Sequence, residues 1–303
     1  MLKARARFSI SLPATSANLG PAFDAAALAF DIYLKITAHV AGGFSLTARG
    51  RDAGICGNPE NHLIVNTYSE VLRAETRPIL PLALRIENQI PIGKGCGSSA
   101  AARLAGIALA NHFGKLGWSD SRIVGEASAR EHHPDNAAAC WMGGIAVAKM
   151  SRGNEALVAR LAPKGRWPLL LAVPEEALST EEARRVLPTQ YSRADAVTNI
   201  QNSMLLLAAF QQGRPDLLAS ALADRIHQPY RAALCPLLPA LEKLAGRDGI
   251  LGAVLSGAGP SVLIFLHPKG RMASARSRVS AHLSSLGLKA ELIATRISPN
   301  GVR

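Results

Sequence analysis

Alternating hydrophobic and polar residues mark several short segments in the first half of the chain. Residues 82–86 (LALRI) carry an apolar side chain at every second position, which predicts a half-buried β-strand, and residues 8–12 and 32–39 favour strands too. Residues 98–113 predict a helix whose apolar side chains cover nearly every face. The pattern therefore indicates strands together with one buried helix.

The second half of the chain mixes strand and helix patterns. Residues 169–173 predict a strand, and two further strands at 250–256 and 261–266 flank a glycine turn. Helices are predicted at 180–187, 195–211, 215–223, 237–245 and 272–286, and a last strand follows them. This mixed order is typical of an α+β protein.

Loop-forming residues cluster at 150–155 (MSRGNE), between the two halves. A chain of 303 residues, of which 48% are hydrophobic, is long enough for two domains. We therefore predict an N-terminal domain over residues 1–152 and a C-terminal domain over residues 153–303.

Composition argues against a membrane protein and a disulfide-bonded protein. The longest apolar runs, at 169–173 and 205–210, are far shorter than the roughly 20 residues that span a bilayer. The basic opening MLKARARFS precedes a segment too short and polar for a signal core, so it is interpreted as part of the mature protein. Four widely spaced cysteines favour a reducing cytoplasm and no structural metal: Cys56, Cys96, Cys140 and Cys235.

The chain is basic, with 34 Lys and Arg against 22 Asp and Glu, a formal net charge of +12. These charges are scattered singly, and aromatic residues make up only 5% of the chain, so stacking platforms for nucleic-acid bases are not expected. A solvated basic surface is favoured over a nucleic-acid interface.

A glycine-rich loop at 91–101 (PIGKGCGSSAA) lies between the alternating strand and the buried helix. Glycines let backbone N–H groups approach a ligand closely, and a helix N-terminus adds partial positive charge, which together favour a phosphate. Ser98 and Ser99 can cap the helix or offer hydroxyls to phosphate or Mg²⁺. The loop fits neither a Walker A nor a G-x-G-x-x-G pattern, and the simpler alternative is a turn capped by serine.

Four motifs, in order along the chain, resemble those of the galactokinase, homoserine kinase, mevalonate kinase and phosphomevalonate kinase superfamily. Residues 91–101 resemble the P-x-G-x-G-L-G-S-S-A-A loop that binds ATP phosphates, and residues 13–24 (PATSANLGPAFD) resemble the P-A-T-S-A-N-L-G-x-G-F-D opening of homoserine kinases. Residues 133–136 (HPDN) with the later Gly-Gly pair, and residues 256–261 (SGAGPS), resemble the other two motifs. Segments 179–188 and 227–231 are similar to homoserine kinases in particular.

The resemblance implies an N-terminal ATP-binding α/β domain like a ribosomal-protein module and a C-terminal ferredoxin-like domain, with the active site between them. It implies ATP-dependent phosphorylation of the side-chain hydroxyl of L-homoserine, in threonine biosynthesis, with Mg²⁺ as cofactor. Asn61 resembles an adenine-side position. The implied contacts to the ATP phosphates are Pro91, Ile92, Gly93, Lys94, Gly95, Cys96, Gly97, Ser98, Ser99, Ala100 and Ala101.

Homoserine carries a carboxylate, an ammonium and the hydroxyl to be phosphorylated. A selective site should therefore supply one or two arginines, an acid and a polar group. By resemblance, Arg184 and Arg231 hold the carboxylate and Asp24 holds the ammonium. The hydroxyl region is assigned to Asn18, His133 and Asn136.

Asn136 stands where galactokinase-like and mevalonate-kinase-like members have Asp. Because an amide is not a base at neutral pH, the implied mechanism is direct in-line transfer, with Asn18 and Asn136 as candidate catalytic residues and the hydroxyl proton lost late. The implied magnesium ligands are Ser98 or Ser99 and an acid on the helix before the HPDN motif. For that acid we choose Glu126 over Glu131.

The sequence departs from the family pattern at two places. Ala22 replaces a glycine and residues 25–28 (AAAL) replace S-L-G-L, which leaves substrate preference open. Cys96 replaces the usual leucine of the loop. It is either a small buried packing residue or a reactive thiol whose pKa is lowered by the helix N-terminus and Lys94.

Three other functions are compatible with the same motifs. They are a kinase for another small alcohol, a non-catalytic ligand sensor and a basic RNA-binding module on the same fold. Mevalonate lacks the ammonium that Asp24 would hold, and a sugar lacks both charged groups, so the charged residues favour homoserine. The sequence leaves open whether the protein forms a homodimer and whether threonine inhibits it.

Overall fold

The computed structural model describes residues 7–303, so most of the basic opening segment lies outside the described residues. The first part of the chain contains β1 (Arg7–Asn18), β2 (Ala22–Val40), β3 (Ser45–Gly50), α1 (Ala53–Cys56), α2 (Leu63–Ala74), β4 (Leu82–Asn88), α3 (Ser98–Phe113), α4 (Asp120–Glu131), α5 (Asp135–Met142), β5 (Ile145–Met150) and β6 (Ala156–Leu161). Helix α3 has the bounds predicted from its sequence. It is buried on most sides, with Leu104, Ile107 and Leu109 fully inaccessible.

The remaining elements are β7 (Pro168–Val173), α6 (Thr180–Arg185), α7 (Arg193–Gln212), α8 (Pro215–Ala221), α9 (Gln228–Arg231), α10 (Leu237–Glu242), β8 (Ile250–Leu255), β9 (Val262–Leu266), α11 (Met272–Ser285) and β10 (Glu291–Arg296). A short 3₁₀ turn, Ala232–Leu234, follows α9. Among the described residues, no helix combines the length and apolarity needed to cross a bilayer.

The N-terminal sheet is built around the long strand β2. Its order is β3-β4-β2-β5-β6, and β1 pairs with β2 in addition. All pairs are antiparallel except β3 with β4. Strand β4 alternates as predicted, with Leu82, Leu84 and Ile86 buried.

The C-terminal sheet is antiparallel, with the order β10-β7-β9-β8. Taking each run of helices as one layer, its elements follow β-α-β-β-α-β, which is the ferredoxin-like arrangement. The predicted α+β fold with a ferredoxin-like C-terminal domain is therefore confirmed.

Strand β7 is apolar throughout because both of its faces are buried. Leu169, Leu171 and Val173 pack into the large core shared with the N-terminal sheet, whereas Leu170 and Ala172 pack into a second core beneath α10 and α11. Side chains alternate between the two faces of a strand, so a continuous apolar run fits a sheet covered on both sides. The C-terminal sheet thus joins the two halves of the molecule.

The predicted boundary at 152/153 is wrong, because it cuts a β-hairpin. Strands β5 and β6 pair on either side of it, with Met150 opposite Ala156 and the Ser151 N–H donating to the Glu155 carbonyl at 2.7 Å. The first sheet therefore extends to Leu161. The end of the chain also returns to this sheet, since the Arg303 N–H donates to the Ser11 carbonyl at 3.0 Å.

Candidate active site

A cavity between the two sheets, at the N-terminal end of α3, collects most of the predicted site residues. They are Asn18, Asp24, Gly93, Gly95, Cys96, Gly97, Ser98, Ser99, Ala100, His133, Asn136, Arg184 and Arg231. Ile92 and Asn61 line an adjoining cavity instead. Neither cavity is lined by Pro91, Lys94, Ala101 or Glu126.

The glycine loop turns through three left-handed glycines before α3. The φ angles of Gly93, Gly95 and Gly97 are 70°, 76° and 69°. A Cβ at Gly97 would lie 1.9 Å from the Thr15 hydroxyl oxygen, so no larger residue fits there. Gly97 is the N-cap of α3 and no side chain caps it, so the simpler alternative of a turn capped by serine is wrong. The exposed helix N-terminus with Ser98 at its start suits a phosphate group.

The Cys96 side chain packs inside the protein, although the residue belongs to the loop that lines the cavity. Its side chain is fully buried, with Sγ 4.0 Å from the Ser261 hydroxyl oxygen. Burial raises the pKa of the Cys96 thiol to about 12, and the Lys94 ammonium donates to the Glu175 carbonyl. The interpretation of Cys96 as a reactive thiol is therefore wrong, and the interpretation as a packing residue is confirmed.

The adjoining cavity is lined in part by the same loop. It shares Gly93, Ser98 and Ser99 with the first cavity. Its wall is largely apolar, formed by Ile55, Leu63, Ile64, Ile86, Ile90 and Ile92, and Asn61 lies on its lining. An apolar wall beside a phosphate loop suits a purine ring.

Arg184, Arg231 and Asp24 line the same part of the first cavity, around the Phe23 ring. The Arg184 Nη2 lies 2.7 Å from the Asp24 Oδ1, across 160 residues of sequence. Both guanidinium groups stack over the Phe23 ring, with their central carbons 5.5 Å (Arg184) and 5.4 Å (Arg231) from its centroid. The groups predicted to hold opposite charges of the substrate thus form one cluster.

A chain of hydrogen bonds to neighbouring residues fixes the guanidinium group of Arg231. Its Nε donates to the Ala183 carbonyl at 2.9 Å and its Nη1 to His227 Nδ1 at 3.1 Å, while His227 Nε2 donates to the Gly20 carbonyl at 2.8 Å. Burial lowers the pKa of His227 to about 4, so its ring is neutral and can accept this bond. Burial, and then the neighbouring Arg184, lower the pKa of Arg231 to about 10, which leaves it charged at neutral pH.

The polar end of the cavity is formed by Asn18 and the HPDN segment. Asn18 donates to the Gly257 carbonyl at 2.8 Å and accepts from the Asp24 N–H at 3.0 Å, so its amide ties three segments together. His133 Nδ1 lies 2.7 Å from the Asp135 Oδ1. Burial disfavours the imidazolium, but the hydrogen bond and charge of Asp135 outweigh it and raise the pKa of His133.

Glu131, not Glu126, is the acid of α4 that reaches this cavity. The Glu131 Oε1 accepts from the Ser99 hydroxyl at 2.6 Å and from Arg103 Nε at 2.5 Å. Glu126 is ion-paired with Arg130 and Arg122 on another side of the helix. Glu126 does not line the cavity, so the structure favours Glu131 over Glu126 as the acid near the phosphate loop, and the magnesium ligand stays a prediction.

No roles were assigned from the sequence to Phe23 and Asp135, which line the cavity, or to Thr15, which contacts two residues of its lining. Asp135 is 1% exposed, and its second carboxylate oxygen has no hydrogen-bond partner among residues 7–303. One ligand atom each from Asp24, His133 and Asp135 lies within 4.8 Å of the others. Their places inside the PATSANLGPAFD and HPDN motifs were the available signal.

Comparison with known proteins finds two domain families and many relatives. The family described as GHMP kinases N terminal domain matches residues 62–144, and GHMP kinases C terminal matches residues 206–285. The chain is 45% identical to a homoserine kinase of Solibacter usitatus over 259 residues, which cover 85% of this chain and 84% of the relative. It is 36% identical to a homoserine kinase of Synechococcus over 291 residues, which cover 95% of each chain.

Among solved structures, the crystal structure of homoserine kinase from Cytophaga hutchinsonii superimposes with a TM-score of 0.82. The match covers 100% of this chain and 98% of the other at 21% sequence identity, so it supports the fold.

Proposed function

The chain belongs to the homoserine kinase family, and we propose that its inter-sheet cavity binds L-homoserine and the γ-phosphate of ATP side by side for direct in-line phosphoryl transfer. The protein is an ATP-dependent kinase that converts L-homoserine to O-phospho-L-homoserine in threonine biosynthesis. The observation that carries the proposal is the meeting of the phosphate loop, the arginine pair and Asp24 in one cavity.

In this proposal the charged cluster recognises the amino-acid end of the substrate. The carboxylate binds to Arg231, whose outward donors have a fixed direction because Ala183 and His227 hold the guanidinium from behind. Arg184 turns from Asp24 towards the same carboxylate, and Asp24 then pairs with the ammonium. The nearby Asp135 carboxylate adds negative charge on the ammonium side.

At the other end of the cavity, the helix N-terminus and the loop N–H groups bind the γ-phosphate, and the apolar cavity binds adenine beside Asn61. Asn136 and His133 contact the hydroxyl region. Asn18 contributes by holding Asp24 and the Gly257 turn in place, which makes its role one of positioning.

We further propose that Glu131 and Ser99, with Ser98 beside them, hold Mg²⁺. A carboxylate 2.6 Å from a hydroxyl is an oxygen ligand set of the kind that Mg²⁺ prefers. Bound Mg²⁺ neutralises charge on the ATP phosphates.

The proposal extends to location and assembly. We place the enzyme in the cytoplasm because Cys56, Cys96, Cys140 and Cys235 are all unpaired. A homodimer stays a prediction, which light scattering on the purified protein tests.

Turnover with a panel of alcohols tests the function. We expect Mg²⁺-dependent ADP release and O-phosphohomoserine with ATP and homoserine, because this acceptor has all three groups that the cavity matches. Mevalonate and galactose lack at least one of these groups, and threonine has all three but carries its hydroxyl one carbon closer to the α-carbon. Mevalonate, galactose and threonine serve as alternative acceptors, and the product is identified by mass spectrometry. Clear turnover of another acceptor without turnover of homoserine contradicts the assignment, and no turnover of any acceptor favours a sensor.

A matched pair of glutamine variants tests the magnesium ligand. We expect Glu131→Gln to raise the Mg²⁺ concentration for half-maximal activity by about tenfold or more, because one charged oxygen contact is lost. Glu126→Gln removes the same charge from the same helix and should leave this concentration unchanged. Mg²⁺ titrations of both variants at saturating ATP make the comparison, and the reverse pattern would restore Glu126 as the ligand.

A further inference from the structure

The hydroxyl of Thr15 lies where three parts of the active site meet. Thr15 is fully buried on β1, and its backbone N–H donates to the Cys96 carbonyl in the phosphate loop at 3.1 Å. Its hydroxyl contacts Gly97, where an added Cβ would lie only 1.9 Å away. The same hydroxyl lies 2.6 Å from the Asn136 Oδ1 at the start of α5. One side chain therefore joins β1, the N-terminus of α3 and the HPDN segment.

The hydrogen bond between Thr15 and Asn136 engages one end of the Asn136 amide and leaves the other end for the cavity. The Thr15 hydroxyl donates to Asn136 Oδ1, so the amide carbonyl is engaged. The Asn136 Nδ2 makes no hydrogen bond within residues 7–303, and Asn136 lines the cavity. An amide NH₂ offers two donors and no acceptor. At Asn136, the protein therefore offers hydrogen-bond donors to a ligand in the cavity.

We propose that Thr15 is a positioning residue that holds the Asn136 amide with its NH₂ group towards the reacting oxygens. This inference rests on the proposed function, because it assigns Asn136 to the hydroxyl and γ-phosphate region. A rotated amide would point its carbonyl oxygen at phosphate oxygens, which are also acceptors and would repel it. The Thr15 hydroxyl holds the plane of the amide by donating to its carbonyl, which leaves the NH₂ group for the phosphate oxygens.

Phosphoryl transfer requires Asn136 to act only as a hydrogen-bond donor. The homoserine hydroxyl oxygen forms a bond to the γ-phosphorus, the bond from that phosphorus to the bridging oxygen of ADP breaks, and its electron pair stays on ADP. The hydroxyl proton passes to an oxygen of the transferred phosphoryl group. The Asn136 NH₂ donates hydrogen bonds to the oxygens that carry negative charge and keeps its own protons.

Conservative variants of Thr15 separate positioning from packing. Thr15→Val keeps the volume and loses the hydroxyl, so we expect kcat to fall about tenfold with little change in the KM for ATP. Thr15→Ser keeps the hydroxyl and should restore kcat. Should Thr15→Val not fold, Thr15→Cys replaces it, since Ser and Cys have similar shape and the thiol is a weak donor. Equal kcat in Thr15→Ser and Thr15→Cys would overturn the proposal.

A double-mutant cycle distinguishes a positioning role of Thr15 from a merely structural one, because the two roles predict different values of kcat in the double variant. Asn136→Ala should lower kcat, and adding Thr15→Val to Asn136→Ala should lower it no further, because the group that Thr15 orients is gone. A further tenfold loss in the double variant would overturn the positioning role. An undiminished kcat in Asn136→Ala would instead contradict the proposed function of Asn136, so the two failures are distinguishable. Melting temperatures of all variants control for loss of fold.

Discussion

Arg231→Ala is expected to raise the KM for homoserine about 10- to 150-fold and to leave the KM for ATP nearly unchanged. The range corresponds to the loss of about 1.5–3 kcal/mol from a charge-assisted contact to the substrate carboxylate. The effect should be large because Arg231 is 1% exposed and two neighbours fix its guanidinium. No other side chain can then replace its contact to the carboxylate. Steady-state kinetics with each substrate varied in turn provide the measurement.

Arg184→Ala is the matched comparison for Arg231→Ala. Arg184 is about one-third exposed and is bound to Asp24, so its removal also frees the acid that would hold the ammonium. A smaller rise in the KM for homoserine is expected, because a flexible, partly solvated arginine contributes less than a buried one. Loss of ATP affinity in either variant, with the KM for homoserine unchanged, would show that these arginines serve the nucleotide.

Gly95→Ala is expected to lower kcat/KM for ATP by about 100-fold or more. A Cβ at this position would lie 2.2 Å from the Ser256 carbonyl oxygen and 2.6 Å from the Gly259 carbonyl oxygen, and both are backbone atoms that cannot rotate away. The phosphate loop must therefore shift away from the turn at 256–259, and displacements of about 1 Å in reacting groups cost about 100-fold in rate. Kinetics at varied ATP and a direct nucleotide-binding measurement check the result.

Gly117→Ala is the control for Gly95→Ala. The two glycines have similar left-handed φ angles, 69° at Gly117 and 76° at Gly95, but a Cβ at Gly117 would meet nothing within 4 Å. Gly117→Ala should therefore show only the backbone cost of about 1–2 kcal/mol in stability, without loss of nucleotide affinity. Similar kinetic losses in both variants would mean that conformational strain, and not the contact between the two loops, explains the effect.

Local sequence patterns predicted those helices and strands whose buried side chains recur at regular intervals. The bounds of α3 and the alternation of β4 follow from side chains that pack on the core at every turn or every second residue. Strand β3, by contrast, has no buried residue, and β6 buries only Ala156, so their sequences carry no such alternation. Because no sequence pattern indicated β6, the turn between β5 and β6 resembled a linker. The domain boundary was therefore placed in that turn.

For the candidate site, the motifs alone named the glycine loop, Asp24 and the two arginines that line the cavity, since each motif is a short run of neighbouring residues. The choice between Glu126 and Glu131 required the helix itself. Five positions along an α-helix correspond to a rotation of about 140°, so the two carboxylates face different sides. Only the packing of α4 against α3 decides which of them meets Ser99.

The sequence by itself determined the family and the fold class, and it named most of the residues that line the cavity, because local patterns and motifs carry this information. Tertiary structure alone decided how the members are used. The bond from Thr15 to Asn136 spans 121 residues and the ion pair of Asp24 with Arg184 spans 160. The burial of Cys96, which raises the pKa of its thiol to about 12, likewise depends on the atoms that surround it. Orientation, burial and charge pairing arise between segments distant in sequence, so no local pattern contains them.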